Sequence, residues 1–465
     1  MSQDYSRRKF LATMAGAAAL PWLNSASFAS LKKIENAKSR NIILILSDDH
    51  RYDFFGFTGK PKFLQTPNFD RLAQRGAHLQ NTFVTTSLCS PSRASILTGK
   101  YPFAHGVVDN DSPMPPGNVF FPTYLQEAGY KTAFIGKWHM GHHSDEPQPG
   151  FNRWVSFPGQ GVYYDPEFNI DGTRKKQTGY ITDLLTDYAV DWINTQRKDR
   201  FFLYLSHKAV HAMFEPAKRH LGKYEKVALE YPATMANTEA NYHNKPAWVR
   251  AQRNSWHGVD HMYHGEMDFD TFYRRYCETL LAVDDSIGRL VETLKKNNLL
   301  ESTLILYTSD NGFSFGEHGL IDKRHMYEES IRIPLLAHCP EIIKPDTKVS
   351  EFIQNVDFAP TILEAAGYQA PSDMEGKSFL SLLKGEKTPW RDAIFYFYFW
   401  ERPFPHLQND PHEMVNLIGR PEHKGLIEAM RKRIFDWLEE KKAAAIPLRR
   451  SGLWQAAERS VHFDH

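Results

Sequence analysis

The chain has 465 residues, 42% hydrophobic and 24% charged, an ordinary globular composition with enough length for one large or two medium domains. This excludes disordered, collagen-like and coiled-coil organisation. Lys and Arg (56) nearly balance Asp and Glu (55), which excludes an overall electrostatic hold on nucleic acid or anionic membrane, and three cysteines are too few for a disulfide framework.

At the amino terminus, Ser6-Arg7-Arg8-Lys9-Phe10-Leu11 precedes an apolar run to Leu23 and a small-residue stretch in which Ser27 and Ala29 have signal-peptidase spacing. Residues 1–29 read as a twin-arginine signal peptide, its apolar run too short to span a bilayer. The expected location is periplasmic or secreted, reached through the twin-arginine export machinery, with no stable membrane insertion and no nucleic-acid partner.

From Asn41 strand and helix patterns alternate, as in an α/β fold with a mostly parallel central sheet flanked by helices. A strand over 42–46 stops at Ser47-Asp48-Asp49-His50. Thr66 as cap and Pro67 at the first position open a helix that closes at Gly76. A strand over 132–135 stops at Gly136-Lys137-Trp138-His139, and a helix is expected over 182–195. A strand over 201–205 stops at Ser206-His207, with His211 beyond. Residues 215–270 have little periodicity and read as a long irregular insertion, a feature that tends to be functional. A helix over 272–294 leads to a strand over 304–307 that stops at Thr308-Ser309-Asp310-Asn311-Gly312, and a helix over 358–366 closes at Gly367. The catalytic domain is expected over 40–385. From 386 an aromatic strand (394–400), a polar turn and a helix (427–438) read as a smaller C-terminal α+β subdomain, 386–465. Ligands of open α/β sheets bind beyond the carboxyl ends of the strands, so the four polar strand ends are expected to meet in one crevice.

Residues 89–99 read Cys-Ser-Pro-Ser-Arg-Ala-Ser-Ile-Leu-Thr-Gly. They put Cys89 at the start of a helix with Pro91 in its first turn, so free N–H groups and the positive end of the dipole point toward the thiol. Such a place is an anion site with a reactive group in it. Cys277 and Cys339 read as buried thiols.

The Cys-x-Pro-x-Arg core, Cys89 to Arg93, extended by Leu97-Thr98-Gly99, resembles the sulfatase family of the alkaline phosphatase superfamily, and the resemblance runs from about Asn41 to the C-terminus. It implies an alkaline phosphatase-like fold and conversion of Cys89 to formylglycine by a formylglycine-generating enzyme. The hydrated aldehyde attacks sulfur with one hydroxyl, and the other expels the sulfate; a thiol has no such second hydroxyl. Asp48, Asp49, Asp310 and Asn311, with residue 89, match the family's calcium site. These hard oxygen ligands suit Ca²⁺, or Mg²⁺ in its place, rather than zinc.

By the same resemblance Arg93 steadies the nucleophile, Lys137 binds a sulfate oxygen and His139 takes a proton as the hemiacetal collapses. His211 and Lys323 stand near the leaving oxygen, where an acid or cation is worth on the order of 10²–10⁴ in rate. His207 is the alternative match for His211. Trp248, Arg250, Arg253, Trp256 and His257 cluster in the insertion. Arg253, Trp256 and His257, with Arg324, are the candidate substrate contacts, since Arg pairs with sulfate and carboxylate; the other reading is that the insertion residues pack it against the domain. Residues 322–330 resemble carbohydrate sulfatases, including N-acetylglucosamine-6-sulfatase-like ones, so a sulfated polysaccharide or oligosaccharide is the expected substrate. A phosphonate monoester or phosphodiester hydrolase of the same superfamily and an inactive glycan-binding homologue are the alternatives. One departure stands out: Phe404-Pro405-His406 replaces a strand pair usual in the family, so either the C-terminal sheet is reduced or residues are missing there.

Overall fold

Ile42-Ile43-Leu44-Ile45-Leu46 has no polar alternation, so a strand built from it must be covered on both faces. In the structure, a computed structural model that describes residues 31–141, 144–243, 245, 247–265, 267–398 and 424–441, these five residues are at most 1% exposed. They lie in β1 (Asn41–Ser47), near the middle of an eleven-stranded sheet.

The other strands of that sheet are β2 (Ala77–Phe83), β3 (Lys131–Lys137), β4 (Arg153–Phe157), β5 (Glu167–Ile170), β6 (Thr173–Lys176), β7 (Phe201–Ser206), β8 (Thr303–Ser309), β9 (Arg332–Ile333), β10 (Leu335–His338) and β11 (Thr347–Gln354). Their order is β9-β2-β10-β8-β1-β7-β3-β4-β5-β6, with β11 also paired to β2. The run β8-β1-β7-β3-β4 is parallel, and antiparallel pairs occupy both flanks. The sheet is therefore mixed and mostly parallel at its centre, as expected.

Alternate residues supply two cores. Ile43, Ile45, Leu203 and Leu205 face one layer with Leu72, Leu185 and Leu280, from α1 (Pro67–Arg75), α3 (Ile181–Gln196) and α4 (Phe269–Lys296). Ile42, Leu44, Leu306 and Tyr204 face the other with Ile96 and Leu97 of α2 (Cys89–Thr98) and Ile362 and Leu363 of α5 (Phe358–Ala365). Period-two alternation sends neighbouring side chains to opposite layers, which is why the strand patterns are apolar throughout.

Two local expectations are corrected. The Thr66 hydroxyl does not cap α1: it accepts from Gly56 N–H (2.8 Å) and donates to Asp70 (3.0 Å). The Asp284 carboxylate of α4 accepts the Asn68 and Phe69 N–H groups instead, at 3.0 and 2.8 Å, so a long-range carboxylate outcompetes the adjacent hydroxyl. Residues 394–398 form no strand. Phe397 N–H donates to Thr85 O (2.7 Å), while the Phe395 and Phe397 rings pack on Trp437 of α6 (Lys424–Glu440), so an aromatic cluster replaces strand pairing. The signal-peptide residues and, in the expected C-terminal subdomain, residues 399–423 with the Phe404-Pro405-His406 junction and residues 442–465 lie outside the described residues. Within the insertion, five short helical segments between residues 233 and 265 are the regular structure. No described helix is long and apolar enough to cross a membrane.

Candidate active site

The register of the parallel strands levels their carboxyl ends. Ser47 pairs with Ser309, and Leu46 and Gly136 both pair with Ser206, so Asp48, Lys137, His207 and Asp310 emerge at one edge. Gly136 is required for this: its φ is 126°, and a Cβ there would lie 1.7 Å from Ser206 O.

At this edge the oxygens of Asp48, Asp49 and Asp310 gather within 4.8 Å of one another, all buried. Asp49 N–H donates to Asp310 Oδ1 (3.1 Å) and Asn311 Nδ2 to Asp49 Oδ1 (2.6 Å). Asp49 Oδ2 and Asn311 Oδ1 are buried without a hydrogen-bond partner. Two oxygens without a hydrogen bond beside three buried carboxylates make a hard-oxygen donor set that fits a divalent cation. Burial pushes Asp49 up to about 7, with the charges of Asp48, Asp310 and Asp322 adding to it and Lys323 opposing. Burial and then Asp48 raise Asp310. Asp48 is pressed upward by burial too, but Lys137, His211, Arg93 and Lys323 hold it well below the usual carboxylate range.

Cys89 begins α2, a helix whose ten residues are all buried. Its Sγ lies 3.4 Å from Asp48 Oδ1 and 3.5 Å from Lys323 Nζ. Burial and the charge of Asp48 push the thiol far above its ordinary pKa, so it stays protonated. Arg93, one turn on, donates from Nε to Asp310 Oδ2 (2.9 Å) and from Nη1 to Lys137 O (2.8 Å) and Ser206 Oγ (2.7 Å). Its Nη2 lies 3.6 Å from Asp48 Oδ2. One guanidinium thus ties α2 to three strand ends and offsets two of the acids.

The remaining predicted lysines and histidines surround this base. Lys137 pairs with Asp48 and donates to Gln160 Oε1; Lys323 pairs with Asp49. His139, in the left-handed region (φ 50°), has Nε2 3.5 Å from Gln160 Nε2. His211 has Nδ1 2.6 Å from Ala212 O and Nε2 3.9 Å from Asp49 Oδ2, which turns Nε2 toward the acids. His207, the alternative, is directed elsewhere: its Nε2 lies 3.2 Å from Ser286 Oγ of α4, and burial lowers its pKa to about 3.

A cavity of about 320 Å³ opens over the base, lined by His211, Lys323, Trp256, His257 and Arg324 together with Gln160, Asn110, Tyr263 and Asp322. His257 Nδ1 lies 2.7 Å from Asp322 Oδ2, and Arg324 pairs with the same carboxylate. Arg253, expected as a substrate contact, does not line this cavity. Its guanidinium donates to Asp260 Oδ2 (2.8 Å) and Met235 O (2.5 Å), holding the insertion together. Gln160, Asn110 and Tyr263 escaped the sequence reading. Gln160 had a signal: it follows β4 between Gly159 and Gly161, both at positive φ, and a Cβ on Gly161 would strike the Phe157 ring at 2.5 Å. Asn110 Oδ1 accepts the Ser90 N–H of α2 at 3.0 Å.

Comparison with known proteins identifies the chain's relatives. The Sulfatase family profile matches residues 40–368. The chain is 36% identical over 488 aligned residues to N-acetylglucosamine-6-O-sulfatase of Bacteroides thetaiotaomicron, with 86% of each covered. The structure of BT4656 in complex with its substrate D-glucosamine-2-N,6-O-disulfate matches with a TM-score of 0.76 and 31% identity, over 88% of this chain and 99% of that one. The phosphonate monoester hydrolase of Silicibacter pomeroyi shares the fold, with a TM-score of 0.71 at 20% identity over 87% of this chain and 96% of that one. A profile match that spans most of the chain and includes Cys89 and the three aspartates shows that the chain belongs to the sulfatase family and is a sulfuric ester hydrolase.

Proposed function

We propose that the protein removes a 6-O-sulfate from a glucosamine-type sugar of a sulfated polysaccharide or oligosaccharide, after export to the periplasm or beyond. The observation that carries this reading is a cavity of about 320 Å³ lined by His211 and Lys323, whose Nζ lies 3.5 Å from Cys89 Sγ and pairs with Asp49 of the buried Asp48-Asp49-Asp310 cluster beneath. That volume, at the small end of ligand cavities, suits a single sulfated sugar. The 36% identity to an N-acetylglucosamine-6-O-sulfatase supports the choice of sugar.

Asp48, Asp49, Asp310 and Asn311 would hold calcium, which when bound polarises a sulfate oxygen and lowers the pKa of the attacking hydroxyl. Formylglycine at position 89 would supply, once hydrated, the attacking hydroxyl and the second one that lets sulfate depart. The chain's own groups do the rest. Lys137, held by Asp48 and Gln160, offers an ammonium to a sulfate oxygen. Arg93 balances the acids from beneath. Lys323 and His211 face the bridging oxygen, where negative charge grows as the ester bond breaks. His257 and Arg324 stand with Trp256 around the sugar.

The test is sulfate released from glucosamine-6-sulfate, its N-sulfated and N-acetylated forms and sulfated polysaccharides, compared with alcohol released from a matched phosphonate monoester. The enzyme is co-expressed with a formylglycine-generating enzyme, with Cys89→Ala as control. Release from the 6-sulfates by wild type alone is expected. Preferential hydrolysis of the phosphonate overturns the reading.

A further inference from the structure

A second cavity, of about 580 Å³, opens at the amino-terminal end of the parallel strands. β1 has seven residues, so this cavity stands roughly 20 Å from the active-site edge at about 3.3 Å per residue. Lys38, Arg40, Arg197, Lys198 and Arg200 line it against only Asp199 and Glu341. In a chain of net charge +1, the fold collects this excess from segments far apart in sequence.

Of the two acids, Glu341 is already engaged. Glu341 receives Lys38 Nζ at 2.6 and 2.7 Å and has Arg40 Nη2 at 3.9 Å. Arg197, Lys198 and Arg200 follow the carboxyl end of α3, where the helix dipole favours cations, but Lys38 and Arg40 come from a distant segment and owe nothing to that helix. Among the described residues Lys198 and Arg200 make no ion pair, and both are exposed. Arg200 lies over the Tyr130 ring, 5.9 Å from its centroid, a contact that leaves its charge uncancelled; cations in excess around a concavity repel one another, and a multiply charged anion relieves that repulsion.

We propose that this cavity is a second carbohydrate-binding site, taking the sulfate and carboxylate groups of an extended sulfated polysaccharide while the active site works on another part of the same chain. Arg and Lys recognise such groups. Tethering the polymer raises the local concentration of its sulfated ends without any new contact at the active site. The polymer's identity rests on the glycan reading above.

The experiment compares wild type with the full-length Lys198→Glu/Arg200→Glu variant, both positions being on the surface. Three readings are taken: KM for a sulfated disaccharide, KM for heparin as a long polymer, and the salt needed to elute the protein from a heparin matrix. The disaccharide KM should stay unchanged, the polymer KM should rise about tenfold, and elution should move to lower salt. Equal polymer KM and equal elution in the two proteins would overturn the proposal, as would a matching loss on the disaccharide. Duplex DNA competing as well as heparin, charge for charge, would overturn the carbohydrate assignment. If wild type releases sulfate from neither substrate, the catalytic reading fails, while elution still reports on this site.

Discussion

The carboxyl edge of the sheet and the insertion over 215–268 use many of the same residue types, yet they obey different rules. At the edge, paired strands of matched register carry sequence position directly into space: Asp48 and Asp310 follow residues that face each other in the ladder, and Lys137 ends a strand two places away. In the insertion no ladder does this. Arg253 and Trp256 stand three residues apart, but the arginine turns inward to Asp260 and the tryptophan lines the cavity. Chemistry placed by backbone hydrogen bonds can be located from a pattern, whereas chemistry placed by local side-chain packing cannot.

The sharpest way to break this comparison is at the edge. Asp310→Ala should cut sulfate release by on the order of 10³ or more, and should also cost about 3–5 kcal/mol in denaturant unfolding, because Arg93 is left buried without its main carboxylate. Cys89→Ala should abolish turnover while leaving unfolding within about 1 kcal/mol. Near wild-type turnover in either variant would remove the mechanism.

Next in size, His211→Ala should slow alkyl sulfates by on the order of 10²–10⁴ and activated aryl sulfates much less, since only the former need help at the leaving oxygen. His207→Ala should leave that ratio unchanged and lower the melting temperature. Equal slowing of both ester types in His211→Ala would take away its place by the leaving group. In the insertion the expected split is milder: Trp256→Ala raises KM about tenfold with unchanged unfolding, while Arg253→Ala loses about 2 kcal/mol of stability through its severed charged hydrogen bonds and keeps KM. Titration of the two variants with substrate and with urea reads both halves.

A further effect concerns pH. His105 is buried, with Nδ1 accepting Val107 N–H at 3.1 Å and Nε2 3.0 Å from Ser95 Oγ, and burial, aided by Lys100, lowers its pKa to about 3. The unfolded chain takes a proton below about 6.5 that the folded chain refuses, so stability falls as pH drops from there toward 3, by about 1.4 kcal/mol per unit for this group. His105→Gln should make the slope of unfolding free energy against pH shallower between 6 and 4. An unchanged slope would show that His105 protonates as readily in the fold as outside it.

Much of the fold was legible because the central strands are long apolar runs that stop at polar residues, and the Cys89-to-Arg93 core marks its own place. What escaped depended on contacts between distant segments. Asp284 lies 216 residues from the N–H of Asn68 that it accepts, beyond the reach of a local capping rule. The aromatic residues 394–398 have strand-like composition, but Trp437 offers their rings a better surface than any neighbouring strand. Gln160 follows a strand the pattern reading did not recognise, so its glycine-flanked turn had no frame to be placed in.

Gly136 has a bearing on how variation in this protein is to be read. It touches no substrate and carries no charge, yet a single added methyl would collide with Ser206 O and wedge apart the two strands that deliver Lys137 and clamp Arg93. In a library of random variants, position 136 would be depleted as severely as the aspartates, but at the level of protein yield. A screen that scores only turnover would count it among the chemically essential residues, and a parallel measure of soluble protein is what separates the two kinds of loss.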